Sequence, residues 1–152
     1  MEISIFKKNR FQFSDRLRSD IITAIRWACM FLFLYTAYAK LIDHHRFLEG
    51  LSEVTILNGF AFYISWFVPL AEILTFLLLL FPKSITVGFY AFISLMLIFT
   101  AYIISALIWE KNLPCNCGGV IEKLSWTQHI WFNSAFITLA IFAVWPTKSN
   151  HL

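Results

Sequence analysis

Residues 85–109 read ITVGFYAFISLMLIFTAYIISALIW, a run without one charged side chain. At 1.5 Å per residue a helix of this length reaches roughly 37 Å, more than the ~30 Å hydrocarbon layer of a bilayer. Working outward, Pro82-Lys83-Ser84 forms a tight link to a second apolar segment, about 60–81. Asn58-Gly59 separates that segment from a first one, about 21–42. On the other side Pro114 and Gly118-Gly119 mark a loop, beyond which a fourth apolar segment covers about 126–145 and stops at Pro146. The first segment lacks the small-residue cleavage site of a signal peptide and is read as a retained span. The predicted fold is all-α, a four-helix transmembrane bundle. It divides into a basic, amphipathic N-terminal arm (1–20), a membrane domain (21–146) and a tail (147–152).

Composition agrees. Of 152 residues 59% are apolar and 14% charged, where soluble domains carry about 25% charged residues. Seventeen Phe and six Trp suit a lipid-facing surface with interfacial anchors. A net charge of +3 without a basic run on a soluble face argues against nucleic acid as a partner. The bilayer itself is the first partner expected.

The basic residues set an expected orientation. Lys7, Lys8, Arg10, Arg16 and Arg18 in the arm, Lys83 in the middle turn and Lys148 in the tail fall on one side. Arg46, Lys111 and Lys123 fall on the other. By the positive-inside rule both termini are cytoplasmic and the first and third loops face outward. In a bacterial cell this describes a multi-pass protein of the inner membrane with a periplasmic third loop.

That loop holds the strongest chemical signal, Pro114-Cys115-Asn116-Cys117-Gly118-Gly119. Two thiols at C-x-C spacing close only a small, strained ring, and strained disulfides exchange readily. The periplasm is oxidising, and the paired glycines let the backbone turn tightly. A static loop staple and a metal site are the other readings of the pair; its spacing fits no zinc pattern, so no metal is expected. Cys29, in the first span, is either a small buried apolar group or a third thiol.

Ionisable groups inside spans are costly and point to function. Counting rise per residue puts Arg26 and Glu72 at similar depths, so the two are expected to pair across the first and second spans. Pro69, just before Glu72, removes a backbone donor. A second polar set gathers near the outer face. It comprises Lys40 and Asp43 at the end of the first span, Tyr102 in the third, and Trp126, His129 and Asn133 at the start of the fourth. A histidine beneath a dithiol takes or supplies protons and favours a thiolate.

Several stretches together resemble the MauE/DoxX-like family of redox-associated membrane proteins. They are Tyr35 to Asp43 (YTAYAKLID), Trp66 to Glu72 (WFVPLAE), Phe99 to Tyr102 (FTAY), and Cys115 to Gly119 (CNCGG) followed by Leu124 to His129 (LSWTQH) and Phe132-Asn133. The resemblance implies a four-helix membrane fold. It implies a link to maturation of a disulfide-rich periplasmic enzyme, methylamine dehydrogenase, with a thioredoxin-like partner, and among DoxX relatives a link to quinone. The expected function is thiol–disulfide exchange with a periplasmic partner through Cys115, Cys117 and His129. A quinone would be held near Glu72, Tyr102, Trp126 and Asn133, with Arg26, Lys40 and Asp43 as a supporting polar network. The alternative is a non-enzymatic membrane subunit or assembly factor of a larger envelope complex.

Overall fold

The computed structural model describes residues 2–54, 58–109 and 125–145. No proline or glycine occurs before Gly50, and a single helix, α1, runs from Glu2–Ile42. It carries the basic arm and the first span without a break. A turn at Asp43 leads into a short helix α2 (His44–Ser52). Helix α3 (Ala61–Leu80) follows a 3-10 turn, and a second such turn at Pro82–Ser84 joins it to α4 (Ile85–Trp109). Helix α5 (Trp126–Val144) completes the described chain. The four long helices are each apolar and long enough to cross a membrane, and no strand occurs among the described residues. The all-α, four-span expectation is met.

Helix α1 packs against α3 and α5, and α4 packs against the same two, so the helices form a closed ring in the order α1, α3, α4, α5. Cys29, Met30 and Phe33 of α1 meet Phe89, Phe92 and Met96 of α4 across the middle, with Leu79 and Ala140 filling from α3 and α5. The Phe33 and Phe92 rings lie 4.4 Å apart, and Phe132 and Phe136 continue the aromatic contact along α5. The outward faces are equally apolar. Phe31, Tyr63 and Trp131 are 72, 71 and 74% exposed, which suits hydrocarbon and not water.

Helix ends inside or near a bilayer need their backbone groups satisfied. At the C-terminus of α3 all four terminal carbonyls find donors. Leu77 O accepts from Phe81 N and Leu78 O from Ser84 Oγ. Leu79 O and Leu80 O accept from Arg26 Nε and Nη2, at 2.6 and 2.7 Å. Arg18 does the same for α5, donating to Trp145 O at 2.7 Å. At the start of α5, Ser125 and Gln128 form a reciprocal capping box, whose S-x-x-Q pattern stands in the sequence.

Arg26 therefore does not pair with Glu72, and that expectation is corrected. Side chains on a helix lean toward its N-terminus. On α1 this tips Arg26 away from the middle of the bundle and onto the end of α3, where two free carbonyls and the negative end of the helix dipole receive it.

One glycine sets the closeness of the α3–α4 hairpin. A Cβ on Gly88 would stand 2.9 Å from Leu79 N and 3.0 Å from Leu78 C, both backbone atoms that cannot move aside. Gly88→Ala is expected to destabilise the bundle by about 1–3 kcal/mol, read as a lowered unfolding midpoint in detergent. Gly59→Ala, where an added Cβ meets nothing within 4 Å, serves as the near-neutral control.

Candidate functional site

The helices touch at the hairpin end and leave a cavity of about 350 Å³ toward the end that carries α2. Its walls are apolar, built from Leu32 and Phe33, Ile64 and Val68, Leu95, Met96 and Phe99, and Phe132. Phe47 and Leu51 of α2 reach over it. Five polar side chains that the sequence singles out, Lys40, Glu72, Tyr102, His129 and Asn133, line the cavity together with Thr36.

Glu72 is 1% exposed and sits at the centre of the polar cluster. Its Oε1 accepts from Lys40 Nζ at 2.5 Å and from Thr36 Oγ1 at 3.1 Å. The lean of side chains that draws Arg26 away brings these two together. Helix α3 runs antiparallel to α1, so Lys40 tips down into the bundle while Glu72 tips up toward it. The Lys40 ammonium also lies 5.8 Å from the Phe47 ring and 5.4 Å from the Phe99 ring, within cation–π range. Glu72 Oε2 is buried and has no partner among the described residues. A carboxylate kept only for packing would have both oxygens satisfied.

Opposite, Asn133 Nδ2 donates to Thr100 Oγ1 at 3.2 Å, and Thr100 donates onward to Met96 O at 2.7 Å. This chain fixes the amide between α4 and α5. His129 is half-buried, one turn nearer the start of α5. With one of its three N–H groups on Glu72, Lys40 keeps two for another acceptor. The wall thus presents mainly hydrogen-bond donors to whatever occupies the cavity.

Other expected site residues lie elsewhere. Asp43 is exposed in the turn between α1 and α2, where its backbone carbonyl accepts from Phe47 N and its side chain forms no cap. Arg26 is at the far end of the bundle. Trp126 opens α5, and its side chain is outside the described set, as are Cys115 and Cys117. Cys29 is a free thiol, fully buried against the α4 aromatics, a packing position. The sequence reading missed Thr36, although it stands one turn from Lys40 on the same face, and it missed Phe47 and Leu51.

Fold and site together define a multi-pass membrane protein that buries a lysine–glutamate pair beside an apolar cavity. Within that class the chain belongs to the MauE family: the family described as methylamine utilisation protein MauE matches residues 18–146. No curated protein and no solved structure shows significant similarity to the chain.

The pairing is open to a double-mutant cycle in detergent or bilayer unfolding. Lys40→Met and Glu72→Gln are expected to be non-additive by roughly 1–3 kcal/mol, because either change alone strands a buried charge. Arg26→Met combined with Glu72→Gln is expected to be additive within about 0.5 kcal/mol. Coupling in the second cycle but not the first would reverse the assignment.

Proposed function

We propose that this protein is a redox protein of a bacterial inner membrane. Its Cys115 and Cys117 exchange thiol and disulfide equivalents with a thioredoxin-like or disulfide-bearing periplasmic protein, and a quinone in the cavity accepts the electrons. By the family's description, the setting is methylamine utilisation. The observation that carries this reading is the position of the polar wall. Lys40, His129 and Asn133 converge at the end of the bundle where α5 begins, and Ser125, its cap, follows Cys117 by eight residues of chain. With both termini cytoplasmic, as the basic residues predict, that end is periplasmic.

The residues present fit a quinone. The volume of about 350 Å³ lies toward the small end of the ~300–1,000 Å³ typical of small-molecule sites. Phe99 and Phe132 offer aromatic surface for a planar ring, and the donors of Lys40 and Asn133 suit carbonyl oxygens. Closing the Cys115–Cys117 disulfide releases two electrons and two protons, and a quinone, when bound, takes up both. Lys40 and Asn133 orient the ring carbonyls. His129 holds and passes on protons between the loop and the cavity. Glu72 holds Lys40 in place, and Thr36 steadies Glu72.

The test uses purified protein in lipid nanodiscs with the loop cysteines reduced and decylubiquinone added. Wild type is expected to form the Cys115–Cys117 disulfide with an equivalent of quinol. Cys115→Ser with Cys117→Ser is expected to lose the reaction while membrane insertion and unfolding midpoint stay unchanged. Lys40→Met is expected to weaken quinone binding about tenfold, the value of one charge-assisted hydrogen bond. If quinone leaves the thiols reduced, or if the double serine variant still supports its envelope partner, the exchange reading falls. The role of a non-enzymatic membrane subunit or assembly factor then takes its place.

A further inference from the structure

The cavity is walled unevenly. On α1 and α5 every lining residue is buried or half-buried: Leu32, Phe33, Thr36 and Lys40 on one side, His129, Phe132 and Asn133 on the other. Phe47 and Leu51 of α2 cover it at the end nearest the interface. The exposed lining residues are Phe67 on α3 and Ile98 on α4, at 68 and 61%. A side chain that both lines an internal cavity and stands two-thirds free on the outer surface marks a place where the cavity meets that surface.

The two residues match in depth. Phe67 lies thirteen residues before Leu80, the end of α3, and Ile98 thirteen residues after Ile85, the start of α4. Each is therefore about 20 Å from the hairpin, well inside a ~30 Å hydrocarbon layer. At the base of the same hairpin Gly88 brings α4 against the α3 backbone. The two helices are thus in close contact at the base, and the exposed residues of the cavity lining lie higher, at the level of Phe67 and Ile98.

We propose that the cavity is loaded sideways from the lipid, through a portal between α3 and α4 framed by Phe67 and Ile98. Its occupant is a membrane-dissolved molecule with a carbonyl-bearing head and an apolar tail. The head fits within the cavity and meets the donors of Lys40 and Asn133. A long tail does not fit in about 350 Å³ and leaves through the portal into hydrocarbon. This inference rests on the reading of the cavity as a quinone site and is independent of thiol exchange.

The experiment follows radiolabelled decylubiquinone binding to the protein in nanodiscs, with time courses of association and release. Ile98→Trp places bulk in the portal on a lipid-facing position. Leu97→Trp places the same bulk on the neighbouring exposed position, 52% exposed and off the cavity lining. Ile98→Trp is expected to slow association and release together, each at least about tenfold, with Kd held within about twofold. Leu97→Trp is expected to leave both rates within about twofold of wild type. Phe67→Ala, which widens the portal, is expected to speed both. Wild-type rates in Ile98→Trp, or a loss of affinity there with an unchanged association rate, would overturn the lateral portal while leaving the cavity as a binding site. Failure of decylubiquinone to bind wild type at all would overturn both the cavity reading and the portal.

Discussion

A lysine and a glutamate share one bond in the upper half of this bundle, and the arrangement around them follows from the cost of putting them there. An isolated charge in hydrocarbon is costly by several kcal/mol. Lys40 and Glu72 reduce that cost for each other, and Thr36, Phe47 and Phe99 add further contacts. To do so α1 and α3 must be antiparallel, adjacent and in one register. The rest of the ring closes around that register, and the cavity lies where α3, α4 and α5 stand off from the pair. A purely apolar bundle of the same helices would have no such reason to keep one vertical alignment among several.

The four spans were legible because apolar runs of membrane length are separated by Pro and Gly signals, and length alone decides between span and core helix. The residues of the polar wall were legible too. Glu72, Tyr102, His129 and Asn133 stand out in apolar surroundings, and Lys40 closes a span. Their partners were less so. Depth counted along the backbone places Cα atoms, whereas charged heads sit several ångströms away in a direction set by helix polarity. That displacement moves Arg26 and Lys40 the same way along α1, and Glu72 the opposite way on α3, so a matching of Cα depths chose the wrong cation. The cover formed by α2 was hidden for another reason. Nine residues make a helix too short to declare itself by periodicity, and this one is held by tertiary contacts such as the tilted packing of the His44 ring against Trp66, 4.4 Å between centroids.

Family membership and geometry speak to different levels. The MauE match covers most of the chain, residues 18–146. The site adds what the family description does not contain: a donor-rich wall, a carboxylate with one oxygen unpartnered, and a chamber whose exposed lining faces lipid. These features separate the chain from an inert membrane anchor, which has no use for a buried ion pair beside an open volume.

The two arginines of α1 carry a consequence for how the protein is made. Arg18 and Arg26 close the ends of α5 and α3, yet they emerge from the ribosome long before either acceptor exists. Until then both guanidiniums lack the carbonyl partners they have in the folded bundle. Helix α1 can hand Arg26 to α3 as soon as that helix is complete. Arg18 must wait for Trp145, 127 residues further along the chain. Assembly therefore has an order written into it, and the ring is locked only once α5 has been made.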